Sequence, residues 1–282
     1  GSTLRSNSSA GEGPVVVITG GTKGIGLGLA RALLGRGARV VIAARGRASV
    51  EEACAGLADA AAPGRVAGFP CDVSRHEDVQ ALWEQSVARF GRVDIWVNNA
   101  GTTNVQLDFV DLDPGDLAAV VATNLTGVAH GTHVAARGMR AQGHGAIYNM
   151  EGFGSDGSRQ PGMALYGSTK AALRYLTQSV AAEMARTPVL VCRLSPGVVV
   201  TELLVKVYRE GDPAKWRRAR WLFRFIADPV EPVAAWLADA VLRNRRTGVR
   251  LAYMTVPRAI GRVFLPRYHR RDLFAGQLPA SG

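Results

Sequence analysis

The chain has 282 residues, of which 47% are hydrophobic and 20% charged, enough for one large domain with a sizeable core. No apolar run approaches the ~18 residues that a membrane-spanning helix needs. The three cysteines are scattered without Cys-x-x-Cys spacing, which argues against a structural zinc site or a disulfide framework and suits a reducing compartment.

The net charge of +11 is unevenly distributed along the chain. Residues 201–282 hold 16 Lys and Arg against 7 Asp and Glu, whereas residues 1–200 hold 18 against 16. Such an excess suits an anionic membrane surface, an acidic substrate or nucleic acid. Because no nucleic-acid recognition motif accompanies the charge, we expect no nucleic acid as a partner.

The chain begins with a Ser/Gly-rich segment, residues 1–13, that lacks apolar periodicity and predicts a disordered leader. Its first two residues, Gly-Ser, resemble the remnant of a cloning site. The β-branched run 15–19 then predicts a buried parallel strand.

A glycine-rich turn follows this strand at once and opens a helical pattern. Strand, glycine turn and helix are the context of a dinucleotide fingerprint, in which the main chain approaches a pyrophosphate at a helix N-terminus. The alternative is an ordinary glycine-rich turn. The candidate cofactor-binding residues here are Gly20, Thr22, Lys23, Gly24, Ile25 and Gly26.

The second predicted strand, 39–43, leads into Ala44 and Arg45. An NAD site carries an acidic residue near this point to bind the ribose 2′-hydroxyl. Here no carboxylate would repel a 2′-phosphate, and Arg45 and Lys23 could bind one. The sequence therefore predicts NADPH/NADP+ as cofactor, unless both cations are plain surface charges.

Strands and helices alternate through the rest of the chain, with further strands predicted at 66–70, 94–97, 146–150, 189–194 and 251–254. Helices are predicted at about 50–62 and 76–90. This alternation predicts a single-domain α/β fold, a doubly wound parallel sheet with helices on both faces. Ligands gather at the carboxyl ends of such strands. Residues found there include Asp72, Val73, Asn98, Ala100, Gly101, Pro196 and Gly197.

Tyr166 and Lys170 are four residues apart and share a face if their segment is helical. A tyrosine pKa of about 10 is too high for acid–base work near neutrality. A nearby ammonium would favour the phenolate and lower that pKa. Alone the pair is a weak signal, because a Tyr and a Lys four apart on a helix usually form only a solvated face.

Five motifs in one order resemble the short-chain dehydrogenase/reductase superfamily: Thr19 to Gly26, Asn98 to Gly101, Asn124, Tyr166 to Lys170 and Ser195 to Gly197. The resemblance covers about residues 14–255 and implies a Rossmann-like fold, one nicotinamide cofactor, no metal, and a homodimer or tetramer. It implies Tyr166 as general acid/base, Lys170 as the group that holds the ribose and lowers the tyrosine pKa, and Asn124 as the residue that kinks its helix and holds a relay water. It also implies that Asp72 and Asn98 frame the adenosine half, that Thr201 faces the nicotinamide carboxamide, and that Val199 binds the cofactor.

One position departs from the family pattern. A serine is usual about thirteen residues before the tyrosine, but Glu151 and Gly152 replace the expected serine pair. The hydroxyl that polarises the carbonyl would then come from Ser155, the nearer candidate, or from Ser158, unless Tyr166 polarises it alone. Glu151 could cap the main chain of its own loop, or be protonated by burial and donate to the substrate.

This departure is itself similar to the chlorophyll b reductase branch, as are the runs 195–204 and 253–258. That branch reduces the 7-formyl group of chlorophyll(ide) b to hydroxymethyl with NADPH. We therefore expect an NADPH-dependent reductase of a formyl or keto group on a large, lipophilic substrate. The alternatives are a bacterial alcohol dehydrogenase or ketoreductase with another lipophilic substrate, and a non-catalytic NADP-binding regulator.

The basic C-terminal part completes the predicted organisation: a reductase domain over 14–257 with a substrate lid at 202–226, then a basic extension over 258–282. Arg217, Arg220 and Arg224 would share one face of a lid helix. This face, and the extension with Arg262, Arg267, Arg270 and Arg271, would either be solvated or meet an anionic amphiphile or membrane headgroups. We expect a soluble protein of the cytoplasm or, in an alga or plant, the plastid stroma, with possible peripheral contact with a membrane.

Overall fold

The computed structural model describes residues 13–104, 106–202, 204–205 and 213–274, with the main chain alone for 213–218. Seven parallel strands form one sheet in the order β3-β2-β1-β4-β5-β6-β9, and β7 pairs with β8 in a small second sheet. The strands are β1 Val15–Thr19, β2 Arg39–Ala44, β3 Val66–Pro70, β4 Ile95–Asn98, β5 Gly145–Met150, β6 Val189–Ser195, β7 Val198–Val199, β8 Ala227–Asp228 and β9 Arg250–Ala252.

Helices cover both faces of the large sheet. The described helices are α1 Gly24–Leu34, α2 Arg47–Ala58, α3 His76–Phe90, α4 Pro114–Val121, α5 Gly127–Gln142, α6 Ala164–Glu183, α7 Pro213–Ile226, α8 Val230–Arg243, α9 Val256–Val263 and α10 Pro266–His269. One core joins the sheet to α1, α2 and α8, and a second joins it to α3, α5 and α6.

The central strands are nearly continuous apolar runs because a parallel sheet covered on both faces leaves no polar side. All five residues of β1 are buried. Trp96 of β4 and Tyr148 of β5 are fully buried on opposite faces. No helix in the described part of the chain combines the length and the apolar character needed to cross a bilayer.

The doubly wound α/β fold predicted from the sequence is confirmed. The predicted helix 76–90 coincides with α3, but α2 begins and ends earlier than its prediction of 50–62. Gly46 is extended and starts α2 three residues earlier, and the alanines after Ala58 form a turn. The expected leader, apart from Gly13, lies outside the described residues, as do residues 275–282 and parts of the lid.

The strand order reverses beside β1, whose neighbours are β2 and β4. In open α/β sheets, ligands bind outside the carboxyl ends of the strands at such a switch point. The candidate residues at the ends of β1, β3, β4, β5 and β6 therefore lie along one edge of the sheet.

Candidate active site

The turn between β1 and α1 is shaped to bring main chain close to a ligand. Gly20 and Gly24 have φ of +64° and +53°, a region that favours glycine. A Cβ at Gly26 would lie 2.2 Å from the carbonyl oxygen of Gly20, and one at Gly24 would lie 3.5 Å from Cγ2 of Thr201. The structure thus brings Thr201 to the turn.

Asn99 holds this turn in place. Its Nδ2 donates to the carbonyl oxygens of Thr19 at 3.1 Å and Gly20 at 3.0 Å. The Thr19 hydroxyl accepts the backbone N–H groups of Asn99 and Ala100, both at 3.1 Å. The sequence prediction missed this role, although the Asn-Asn pair at a strand end was a visible signal.

The side chain of Asn98 points into the protein instead. Its Oδ1 accepts from Trp96 Nε1 at 2.8 Å, and its Nδ2 donates to Asn149 Oδ1 at 2.7 Å and Thr132 Oγ1 at 3.2 Å. These buried hydrogen bonds engage the side-chain amide of Asn98, which was expected to frame the adenosine half of the cofactor. Only the main chain of Asn98, at the end of β4, lies at the edge where a cofactor would bind.

Charged groups follow β2 and β3. Arg45 and Lys23 are exposed. The Ser74 hydroxyl, which donates to Asp72 Oδ1 at 2.7 Å, lowers the pKa of Asp72, and Arg45 adds a smaller contribution. Val73 is buried beside Asp72. A cation and a hydrogen-bonded carboxylate therefore lie near each other after β2 and β3.

Asn124 lies in a π-helical turn, Ala122–Thr126, between α4 and α5. Its side chain pairs with the segment after β4, where Oδ1 accepts from the N–H of Thr102 and Nδ2 donates to the Thr102 carbonyl, both at 2.8 Å. Its Nδ2 also donates to Thr169 Oγ1 of α6 at 3.3 Å. π-turns within helices often mark functional sites. The helix distortion that the family resemblance implied at Asn124 is therefore present.

Tyr166 and Lys170 lie on α6, with Lys170 Nζ 5.7 Å from the centroid of the Tyr166 ring. Nζ donates to the Met150 carbonyl at 3.2 Å, at the end of β5. A Cβ at Gly101 would lie 3.9 Å from Nζ and 3.5 Å from Asn124 Oδ1. The fold thus brings together three expected residues, Gly101, Asn124 and Lys170.

The pKa of the tyrosine differs in direction from the sequence expectation. Burial raises the pKa of Tyr166 to about 12, although part of the side chain is accessible. Burial also lowers the pKa of Lys170 to about 8, which the Glu151 carboxylate partly opposes. The expected lowering of the tyrosine pKa by the ammonium is therefore wrong for the chain alone, because loss of solvent dominates. A neutral phenol is the form that donates a proton.

The loop after β5 places glycine beside the tyrosine hydroxyl. A Cβ at Gly152 would lie 2.3 Å from Tyr166 Oη and 3.1 Å from Lys170 Cε. Gly152 therefore occupies the space in which a side chain would meet the hydroxyl. Ser155 is buried, and its Oγ accepts the N–H of Gly152 at 3.2 Å, whereas Ser158 is exposed.

Glu151 adopts neither of the roles considered from the sequence. Its Oε1 accepts from Arg193 Nη1 at 2.9 Å and its Oε2 from Arg250 Nε at 2.6 Å. Both carboxylate oxygens are therefore bound by arginines of β6 and β9, rather than by the main chain of the loop.

The sequence profile of the family described as short chain dehydrogenase matches residues 14–211. The chain belongs to this family.

Among relatives of this short-chain dehydrogenase, the probable chlorophyll(ide) b reductase NYC1 of Oryza sativa subsp. japonica is 36% identical over 87% of the chain. The chlorophyll(ide) b reductase NOL of Arabidopsis thaliana is 37% identical over 80%. Both relatives are described as chloroplastic. The chain spans 50% of NYC1 and 64% of NOL. A crystal structure of an actinorhodin polyketide ketoreductase variant with NADPH has a TM-score of 0.76 and 30% identity, over 86% of this chain and 95% of that one.

Several basic residues of this short-chain dehydrogenase's lid and extension form ion pairs or hydrogen bonds within the described structure, whereas Arg267 and Arg270 are exposed. Asp228 of β8 forms ion pairs with Arg262 at 2.7 Å and Arg271 at 2.8 Å. Arg220 pairs with Asp272, and Arg224 donates to the His269 carbonyl at 3.2 Å. The extension up to residue 274 therefore packs on α7. The side chain of Arg217 lies outside the described residues.

Proposed function

We propose that the protein is an NADPH-dependent reductase of a formyl or keto group on a large apolar molecule, with the 7-formyl group of chlorophyll(ide) b as the leading substrate. The observation that carries this proposal is the neutral phenol of Tyr166 beside Lys170, on the edge of the sheet that also bears the glycine-rich turn. The similarity to NYC1 and NOL supports the choice of substrate.

The main chain of the turn between β1 and α1 is shaped to accept a dinucleotide. Glycines 20, 24 and 26 leave a cradle at the N-terminus of α1 that a Cβ would fill, and Thr201 borders it. Pro196, Gly197 and Val199 lie between β6 and Thr201 and would line the nicotinamide side. When bound, the cofactor supplies the hydride.

The chain's own residues would donate the proton and replace it. Tyr166 would donate its hydroxyl proton to the alkoxide that forms on the substrate. The Lys170 ammonium would bind the ribose and stabilise the tyrosinate left behind, and Asn124 would support the water that returns the proton. Ser155 would polarise the carbonyl, since its Oγ accepts from Gly152 and its hydroxyl proton has no acceptor among the described residues.

The direct test compares substrates under identical conditions. Chlorophyllide b and pheophorbide b are offered with NADPH beside simple aliphatic and aromatic ketones, and the products are separated by chromatography. We expect the hydroxymethyl product from the formyl pigments at a kcat/KM well above that of any simple ketone. A reversed preference would favour the alternative, a ketoreductase for another lipophilic substrate. NADPH binding without turnover of any carbonyl compound would favour a regulatory protein.

We infer a preference for NADPH over NADH from Arg45 and Lys23. Both are exposed, Lys23 within the glycine-rich turn and Arg45 directly after β2. Asp72 is close enough to Arg45 to interact, but its Oδ1 already accepts from Ser74. A guanidinium supplies several donors in the fixed geometry that suits a phosphate.

We also propose that α9 docks on an anionic membrane surface. Its outer stripe is apolar, with Val256, Ile260, Val263 and Phe264 exposed at 73%, 55%, 44% and 79%. Its inner face is held by arginines: Arg262 binds Asp228 and the Phe225 carbonyl. Such an exposed apolar stripe is unusual for a soluble protein.

The charge beside this stripe favours a bilayer with anionic lipids. Arg267 and Arg270 are exposed immediately after it, and Arg258 is exposed within α9. Apolar residues that enter the interface with flanking cations are typical of interfacial helices. The experiment described next distinguishes a bilayer from a second copy of the chain as the partner that covers this stripe.

Sedimentation with vesicles tests the docking surface. We expect binding to phosphatidylcholine vesicles that contain phosphatidylglycerol, and loss of most of it in the double variant Ile260→Ser, Phe264→Ser. Val110→Ser, which removes an exposed apolar residue elsewhere, is the matched control. Equal sedimentation of all three proteins would contradict the proposal, and a concentration-dependent change of mass in the absence of lipid would indicate self-association instead.

We propose a homodimer or tetramer, as the family resemblance implies for helices α4 to α6. Tyr175 of α6 is 75% exposed in the single chain, which leaves this face available to a second copy. Light scattering at micromolar concentration should give a multiple of the chain mass, and a monomer would contradict the proposal.

A further inference from the structure

The buried carboxylate of Glu151 connects three strands. The residue is 4% exposed, and its side chain reaches Arg193 of β6 and Arg250 of β9. Its backbone N–H donates to the Leu194 carbonyl at 2.7 Å. Arg250 in turn donates from Nη2 to Ser195 Oγ at 2.8 Å. The first residue of the loop after β5 is therefore fixed by both its main chain and its side chain.

The second residue of the loop touches the proton donor. A Cβ at Gly152 would lie 2.3 Å from Tyr166 Oη and 3.2 Å from Cζ of the same ring. The main chain of Gly152 is therefore the wall beside the hydroxyl. Because Glu151 and Gly152 are adjacent, a shift of the anchored carboxylate moves this wall.

We propose that Glu151 is a positioning residue: its pairs with Arg193 and Arg250 hold the main chain of Gly152 against the hydroxyl of Tyr166. The inference rests on the proposed reductase function, and it gives Glu151 no contact with substrate or cofactor. Glu151 thus contributes, through the main chain, to the geometry of a site in which the expected serine is replaced by glycine.

Electrostatics gives the proposal a second readout. The charged and titratable groups described around this corner are Lys170, Tyr166 and Arg174 on α6, Glu151 and Asp156 in the loop after β5, and Arg193 and Arg250 on β6 and β9. The Glu151 carboxylate raises the pKa of Lys170 against the larger effect of burial. Removing its charge should therefore lower the pKa of Lys170 further. The alkaline limb of the pH–rate profile, on which the rate falls as the Lys170 ammonium is deprotonated, would then move to lower pH.

The experiment measures kcat, KM and NADPH affinity for the wild type, Glu151→Gln and Glu151→Asp. The pH runs from 6 to 10, roughly two pH units on either side of the Lys170 pKa of about 8. We expect Glu151→Gln to lower kcat ~10-fold or more, as misplacement of a catalytic group does, with NADPH affinity within about twofold of wild type. Its alkaline limb should move to lower pH, and Glu151→Asp should recover part of the loss. An unchanged kcat and profile would overturn the proposal.

Two further variants separate positioning from folding. Asp239→Asn removes an ion pair with Arg36 between α1 and α8, far from Tyr166 in the fold, and should leave kcat unchanged. Gly152→Ala keeps every charge but places a methyl group against the Tyr166 hydroxyl. It should lower kcat as Glu151→Gln does while NADPH still binds, even if Glu151→Gln fails to fold. Wild-type turnover in Gly152→Ala would overturn the proposal.

If the wild type reduces no carbonyl compound, the reductase proposal fails and the positioning inference is judged separately. Ultraviolet titration of the tyrosines, with Tyr166→Phe subtracted, reports the ionisation of Tyr166 without turnover. We expect Glu151→Gln to shift this titration and Asp239→Asn to leave it unchanged. No shift in Glu151→Gln would then overturn the inference.

Discussion

Two loops at the carboxyl edge of the sheet present main chain to the candidate site, and they are held by opposite means. The turn after β1 is held by neutral hydrogen bonds from the Asn99 amide and the Thr19 hydroxyl. The loop after β5 is held by a buried carboxylate between Arg193 and Arg250.

The difference changes what each loop tolerates. Removing one partner of a buried neutral hydrogen bond costs about 1–3 kcal/mol, whereas removing one partner of a buried ion pair leaves an uncompensated charge and costs about 3–5 kcal/mol. The turn after β1 therefore tolerates the loss of one contact better than the loop after β5 does. The loop after β5 has one specific geometry, and we expect it to determine which substrates react.

The largest expected effect lies on the β5 side of this comparison. Tyr166→Phe should lower kcat by ~10²–10⁴, the usual contribution of acid–base catalysis, and leave NADPH affinity nearly unchanged because the cradle is intact. Tyr148→Phe is the matched control, since this buried tyrosine donates to the Val241 carbonyl on the other face of the sheet. Near wild-type turnover in Tyr166→Phe would remove the phenol from the reaction.

A smaller effect is expected from the serine beside Gly152. Ser155→Ala should lower kcat ~10–10³-fold, the range for one lost donor to a developing oxyanion. Ser158→Ala should change it much less, because Ser158 is exposed. Steady-state kinetics with one formyl substrate measures both variants. Full activity in both would mean that Tyr166 polarises the carbonyl alone.

Reversal of the charge at Arg45 tests the side of the site formed by the turn after β1. Arg45→Asp should weaken NADPH binding roughly 10–100-fold, as expected for the loss of one charge-assisted contact, and should barely affect NADH. Fluorescence titration of both cofactors with both proteins gives the four constants. Equal affinity of the wild type for NADPH and NADH would contradict the assigned preference.

The smallest expected effect is on stability and depends on pH. The pKa of Lys170 falls from an ordinary 10.5 to about 8 in the folded chain, so the unfolded chain binds this proton more tightly. Folding is therefore penalised below pH 8, and the penalty disappears as pH rises from 8 to 10.5. Lys170→Met should raise Tm at neutral pH by roughly 2–8 °C.

Thermal melts of both proteins across this pH range test the linkage. The difference in Tm should shrink steadily on the alkaline side, where the wild-type lysine is neutral in both states. A difference that is constant with pH would mean that the ammonium carries no folding penalty.

The sequence predicted what short-range signals encode. The glycine-rich turn, the Tyr166 and Lys170 pair and the order of strands all follow from neighbours in the chain. Asn98 and Asn99 show the limit of such signals. The side chains of adjacent residues at the end of a strand point to opposite sides of the sheet. Only the fold reveals that Asn99 is the one that faces the turn.

Long-range charge pairing was beyond the sequence. Glu151 lies 42 residues from Arg193 and 99 from Arg250, so no local pattern connects them. In the same way Arg262 and Arg271 looked like solvent-facing cations, although both bind Asp228. Burial also reversed the expected direction of the Tyr166 pKa, because desolvation depends on tertiary packing.

The most direct test of the central claim is transfer of label from the cofactor to the substrate. Wild-type protein is incubated with NADPH carrying deuterium at both C4 positions and with chlorophyllide b, and the product is analysed by mass spectrometry. We expect a hydroxymethyl product that carries one deuterium on its carbon. Bound NADPH with no labelled product from this pigment or any other formyl or keto compound would contradict it.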